Sequence, residues 1–248
     1  SGVRPITISN ANQYVERPTD CALVLNTPFA LIRTIGKSDF SVPDYFPSLA
    51  AACEVYDPVY WMQYKEPNPA SGVRLPNKKN IVILIVESFG REYIGAFNRD
   101  FFDGKYKGYT PNVDKLIDKS LVYRFSYCNG RKSIDGMPSI LCGIPRFGEP
   151  FILTPASMND YTGMPGLLSK WGYQTAFFHG ANRGSMGFLA FANKIGFQKY
   201  YGRQDYSEDP RFGGDKDFDG NWGIWDEPFL QYYCTKMGEM KQPFMTAL

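Results

Sequence analysis

A serine preceded by two cations is the strongest chemical signal in this chain. The segment Cys128-Asn129-Gly130-Arg131-Lys132-Ser133-Ile134-Asp135 runs into Gly136-Met137-Pro138-Ser139-Ile140-Leu141, a small-residue pattern that starts a helix. A serine at a helix N-terminus feels the positive end of the backbone dipole. Arg131 and Lys132 beside it, together with a divalent cation, would lower its hydroxyl pKa toward a usable alkoxide. Taken singly, a serine in a glycine-rich turn more often caps a helix, and Arg131 and Lys132 are more often solvated charges. Their adjacency is what raises the nucleophile reading. Two further residues follow apolar runs. Glu87 offers a carboxylate to a cation, although a carboxylate after a strand is commonly a cap. His179 can serve as a substrate-side donor or sit as a neutral ring satisfied at a sheet edge.

The elements that must carry these groups follow from hydrophobic patterning. Ile81-Val82-Ile83-Leu84-Ile85-Val86 is a continuous apolar run, the pattern of a central parallel strand buried on both faces. Thr110-Pro111-Asn112 opens a helix through Lys119, since Thr caps well and Pro suits the first helical position. Leu121 to Tyr127 reads as a second strand. Gly166 to Trp171 reads as a helix closed by Gly172 and followed by the strand Gln174 to His179. Trp225-Asp226-Glu227-Pro228 starts another helix, with Asp226 as its cap. This alternation predicts a mostly parallel sheet with helices on both faces. Ligands of such sheets gather at the carboxyl ends of the strands, where Glu87, Ser133 and His179 are all expected.

Residues 1–79 differ in character: they are proline-rich, and their apolar stretch Cys21 to Arg33 is interrupted by Pro28. They read as two short segments and a linker draped over the main domain, which begins at residue 80. The whole chain of 248 residues is 44% hydrophobic and 21% charged, ordinary values for a globular protein. The aromatic share of 16% fits a large core or a surface facing carbohydrate or lipid. A net charge of +2 without any basic stripe gives no argument for nucleic acid, so no nucleic-acid partner is expected. Five widely spaced cysteines without a C-x-x-C pair argue against a zinc knuckle, and leave room for a disulfide in an oxidising compartment. No stretch reaches the roughly 20 apolar residues that span a bilayer. The opening Ser1-Gly2 reads as a cloning scar, and Gln242 to Leu248 as a strand entered from a turn and cut off. The expectation is a piece of a longer protein.

Several blocks resemble the catalytic domain of lipoteichoic acid synthase-like enzymes, in the sulfatase and alkaline phosphatase superfamily. They are Asn80 to Phe89, Tyr109 to Asp114, Asn129 to Asp135, Phe177 to Asn182, Phe188 to Gly196 and Trp222 to Asp226, spread over residues 80–248. The resemblance implies a three-layer α/β/α fold with a mostly parallel central sheet, alkaline phosphatase-like and truncated at the C-terminus. Residues 80–248 would be the N-terminal portion of the catalytic domain, and residues 1–79 the segment leading from a missing membrane anchor. It implies Glu87 and Ser133 as ligands of a divalent metal (Mn²⁺, Mg²⁺ or Zn²⁺), Ser133 as nucleophile and His179 on the substrate side, where Lys132 and Arg131, by their adjacency to Ser133, are expected as auxiliary donors. The family completes its metal site with a later Asp-His pair, expected beyond Leu248, so this piece alone should be inactive. The implied setting is extracytoplasmic, and the implied partner a membrane-lipid head group or a cell-envelope glycan.

Two departures limit that transfer. Lipoteichoic acid synthases carry a Trp and an Arg after the substrate-side His, where this chain has Met186 and Phe188, so glycerol phosphate specificity is not carried over. The serine segment also resembles the sulfatase signature, with Ser133 and Gly143 ten residues apart. Its Pro and Arg positions are Asp135 and Met137 here, which argues against conversion to formylglycine and favours phosphoryl-type transfer. The alternatives are a phosphodiesterase or sulfatase hydrolase, or a non-catalytic module that binds glycan or lipid through aromatics such as Trp222 and Trp225.

Overall fold

The structure, a computed structural model, describes residues 6–35, 45–56, 78–123 and 126–248. Its strands are β1 (Ile81–Ile83), β2 (Gln174–Phe178), β3 (Lys199–Tyr201) and β4 (Phe244–Ala247). Ahead of β1 lie α1 (Ile8–Ala11), α2 (Cys21–Val24), α3 (Thr27–Thr34) and α4 (Leu49–Val55). After it come α5 (Pro111–Ile117), α6 (Ser133–Cys142), α7 (Met164–Lys170), α8 (Phe188–Lys194), α9 (Arg203–Glu208) and α10 (Asp226–Gly238).

All strand pairings are parallel and the order is β1-β4-β2-β3, so the last strand in sequence lies inside the sheet. Side chains alternate between its faces. Phe177 of β2 with Met245 and Ala247 of β4 points to the layer that includes α6 and α8, where Met137, Leu141, Phe188 and Phe191 fill the core. Ala176 and Phe178 point the other way, to Tyr206 of α9 and Phe229, Tyr232 and Tyr233 of α10. Thr246 keeps its hydroxyl satisfied on that face through Tyr233, at 2.7 Å. Burying each of these rings contributes roughly 2 kcal/mol by area. The expected three-layer α/β/α arrangement with a parallel sheet is what the chain adopts.

Three expectations change. The run 81–86 forms a strand only over Ile81–Ile83, at the sheet edge rather than its centre. The ladder goes on irregularly, with Leu248 N donating to Ile83 O and Ile85 N to Leu248 O. One face of the run packs inward through Ile81 and Ile83, while Val82, Leu84 and Val86 remain 45%, 55% and 58% exposed. The α9–α10 layer covers β2 and β4 and does not reach them. Leu121 to Tyr127 is not a strand where it is described: Leu121, Tyr123 and Tyr127 are exposed and outside the sheet, and residues 124–125 lie outside the described residues. Asp226 is the first residue of α10, and Trp225 holds the cap position. The other helix readings hold within a few residues, and Gly172 closes α7 with a left-handed φ of +85°.

In the N-terminal region, the break between α2 and α3 falls at Leu25 and Asn26. Pro28 sits in the first turn of α3, where its missing N–H has no partner to lose. Ala11, Val15 and Cys21 are buried together with Ala190 of α8. No helix among the described residues is long and apolar enough to cross a membrane.

Candidate active site

Ser133 is the first residue of α6, and Lys132 occupies the cap position in extended conformation. The helix forms here because Ile134, Met137 and Leu141 recur at helical spacing and are all buried in the core. Pro138 inside α6 has no N–H to give to Ile134 O, and the helix ends at Gly143, whose φ of +69° serves as a left-handed cap. That is the physical role of the glycine ten residues after the serine. Ser133 is half-buried, whereas Arg131 and Lys132 are exposed and make no ion pair among the described residues.

Glu87 lies beyond the end of β1 on an exposed turn that passes through Ser88 at φ +53°. A Cβ added at Gly136 of α6 would stand 3.7 Å from a methyl of Ile85. The first turn of α6 therefore packs beside the segment that leads to Glu87, which brings the two proposed metal ligands onto neighbouring segments. No hydrogen bond links their side chains, and among the described residues no three His, Cys, Asp or Glu side chains are grouped as a metal site. The carboxylate and hydroxyl are hard oxygen donors, which fit Mg²⁺ or Mn²⁺ in kind and fall short of a full ligand set in number.

Sequence reading gave Asp135 no role, and the structure makes it a central residue. Its carboxylate is 3% exposed at the third position of α6, with Oδ2 accepting from Arg146 Nη1 at 3.2 Å. Its Oδ1 is buried without a partner. The backbone at Gly130 lies so close that a Cβ there would come within 2.3 Å of the Asp135 Cβ. The Asp135–Arg146 pair thus ties the turn before Ser133 to the chain after α6. The signal for it was an acidic residue at an otherwise apolar helical position.

His179 follows β2, with its N–H donating to Tyr201 O at 3.0 Å. Its ring meets Phe188 edge-on at 5.0 Å between centroids, and Nδ1 is buried without a hydrogen-bond partner. Burial lowers its pKa to about 4, so the ring is neutral at pH 7 and one nitrogen carries a proton to donate. Next to it, Arg183 forms a two-pronged pair with Asp205, whose Oδ2 also accepts from Gly202 N at 2.7 Å. Ile224 N donates to Gly180 O at 2.9 Å, and Asp219 Oδ1 accepts from the amides of Asn221, Trp222 and Gly223. This loop docks on the strand end beside His179 and leaves Trp222 and Trp225 more than half exposed. All five cysteines are free thiols.

A parallel sheet between helical layers is an alkaline phosphatase-like fold, and two solved structures share that fold. One is a protein of the alkaline phosphatase superfamily from Vibrio parahaemolyticus: TM-score 0.54, 22% identity, 68% of this chain and 39% of that one covered. Another is the lipoteichoic acid synthase LtaP from Listeria monocytogenes: TM-score 0.55, 23% identity, 69% of this chain and 40% of that one covered. Residues 79–248 match the sulfatase family, and the chain belongs to it. The chain spans about two fifths of the length of those two structures.

Proposed function

We propose that this chain carries part of the active site of a metal-dependent phosphoryl-type transferase acting on a membrane-lipid head group, moving phosphoglycerol or a related group. The observation that most supports this reading is the position of Ser133: first in α6, flanked by the exposed Arg131 and Lys132, and beside the segment bearing Glu87. Glu87 and Ser133 would hold the divalent cation (Mn²⁺, Mg²⁺ or Zn²⁺), with further ligands from chain beyond Leu248. When bound, that ion supplies charge neutralisation at the nonbridging phosphate oxygens.

Ser133 Oγ forms a bond to phosphorus while the bond from phosphorus to the lipid alcohol oxygen breaks. The serine proton leaves to solvent, and the departing alcohol oxygen gains one. An acceptor hydroxyl, or water, then attacks phosphorus, breaks the Oγ–P bond and returns a proton to Ser133. Arg131, Lys132 and the N–H of neutral His179 donate to oxygens that gain charge. In this reading residues 1–79 connect to a membrane anchor and the domain works on the extracytoplasmic side.

The sulfatase family match favours a second reading, hydrolysis of a phosphodiester or a sulfate ester. One experiment on the full-length protein separates the outcomes. Incubation with a phospholipid donor should leave a phosphate-containing adduct on Ser133 by mass spectrometry, and Ser133→Ala should lose turnover by more than about 1,000-fold. Formylglycine at position 133 would establish a sulfatase. Turnover in Ser133→Ala within tenfold of the parent would remove the serine from the chemistry. A full-length protein with no turnover at all would leave the exposed Trp222 and Trp225 as the surface of a binding module.

A further inference from the structure

We propose that residues 7–25 form a strap that fixes the turn beside His179, with Asn12 as its positioning residue. The inference rests on the reading of His179 as a substrate-side group, and it concerns a segment with no chemical groups of that reading in it.

The contact begins with a buried amide. Asn12 is 2% exposed, with Nδ2 donating to Ile152 O at 3.1 Å and Oδ1 accepting from Cys21 Sγ at 2.9 Å. Its two ends thus join the two halves of the strap to the domain, and no polar atom is left over. The next carbonyl, Gln13 O, is lodged against Gly184, where an added Cβ would come within 1.9 Å of it. At Gly187 a Cβ would come within 3.0 Å of the Asn12 side chain, and this glycine has a φ of +72°. Asn193 of α8 adds a bond from Nδ2 to Glu16 O at 2.9 Å.

Those contacts bracket the 3-10 turn Ser185–Gly187. Met186, within it, has φ +54°, a left-handed conformation that a residue with a side chain holds only when its surroundings enforce it. The strap is what surrounds it on one side. The next residue, Phe188, is the ring against which His179 packs. A continuous path of contact therefore runs from Asn12 and Gln13 through Gly184 to Gly187, and then through Phe188 to His179. The direction of coupling is physical: loosening the strap lets Met186 relax toward an ordinary φ, which moves Phe188 and with it the imidazole.

Amide hydrogen exchange on the 248-residue chain tests this without any turnover. Gly184→Ala leaves every strap residue native and has no backbone strain of its own, so its only effect is to push Gln13 away. Exchange at Ala11 to Val15 and at Ser185 to Phe188 should rise by at least about tenfold, while the β2 and β4 amides stay protected. Asn12→Leu should give the same pattern from the other side of the contact. An unchanged turn, or a rise spread equally over β2 and β4, would overturn the strap. In the full-length enzyme both variants should lower kcat/KM for the lipid donor several-fold, with part of the loss in kcat because His179 donates to oxygens that gain charge, and an unmoved kcat/KM would overturn the positioning role. If the parent enzyme transfers nothing, the transferase reading falls, and the exchange pattern still decides the strap.

Discussion

At the β2–β3 side of the sheet both faces are covered, whereas beside β1 only the face toward α6 is. Phe177 and Phe178 point to opposite layers and are each nearly inaccessible, but Val82, Leu84 and Val86 are about half exposed, with Leu121, Tyr123 and Tyr127 also open to solvent. The candidate site straddles this divide. His179 stands on the enclosed side, where desolvation lowers its pKa and Phe188 fixes its ring. Glu87, Arg131 and Lys132 stand on the open side in water. Fixed dipoles act strongly only where water is excluded. Under the proposed function, the enclosed half would orient a substrate and the open half would collect charged partners.

That contrast can be tested on stability, starting where the effect is largest. Phe178 is 1% exposed, stacks on Tyr201 at 4.7 Å and meets Tyr233 edge-on at 4.8 Å. Phe178→Ala should cost about 4 kcal/mol in denaturant unfolding, as cavity formation in a packed core requires. A cost below about 1 kcal/mol would mean the enclosed side is no better packed than the open one. Next in size is the pair at the border of the two regions. Arg146→Met leaves the Asp135 carboxylate, with a side chain 1% exposed, buried and unpaired, so it should cost about 3 kcal/mol. Replacing both partners, Asp135→Leu with Arg146→Met, should recover most of that loss, because no buried charge remains.

The same division governs what could be read in the sequence. The enclosed side was legible: Gln174 to Phe178 forms its strand, α7 stops two residues before Gly172, and α10 starts within a residue of the Asp226 signal. Each has local turn chemistry agreeing with a long-range partner. The open side was misread, because an apolar run reports only that a strand could be buried. Whether helices cover it is settled by tertiary contacts, and over Val82, Leu84 and Val86 the covering layer stops short. In the site, Ser133 at a helix start was legible from its small-residue neighbours. Asp135 was not, since its importance comes from Arg146 eleven residues later folding back onto it. The Asn12 contact with Ile152 was equally hidden, joining residues 140 positions apart.

Titration of His179 should have an effect of comparable size. Its folded pKa of about 4 lies below the unfolded value of about 6.5, so the unfolded chain binds the proton more readily between those values. Stability contributed by the neutral ring is therefore complete above about pH 6.5 and lost as pH falls toward 4, on the order of 3 kcal/mol in all. Carboxylates titrate over part of this range too, so the measurement is the difference between parent and His179→Gln in denaturant melts at pH 7, 5.5 and 4. The gap between them should shrink steadily on acidification, and a constant gap would place His179 in water with the open side.

The smallest effect sharpens the comparison from the other end. Leu84 is 55% exposed and sits in the irregular continuation of β1, so Leu84→Ser removes an apolar side chain that this fold hardly buries. Unfolding of the 248-residue chain should change by less than about 0.5 kcal/mol. The same substitution in the full-length protein asks a different question, because any chain that packs against this face would turn an exposed leucine into a buried one. A cost there of about 2 kcal/mol or more would show that the open side is closed by contacts outside these residues. A cost as small as in the 248-residue chain would mean that the β1 edge faces water in the full-length protein too.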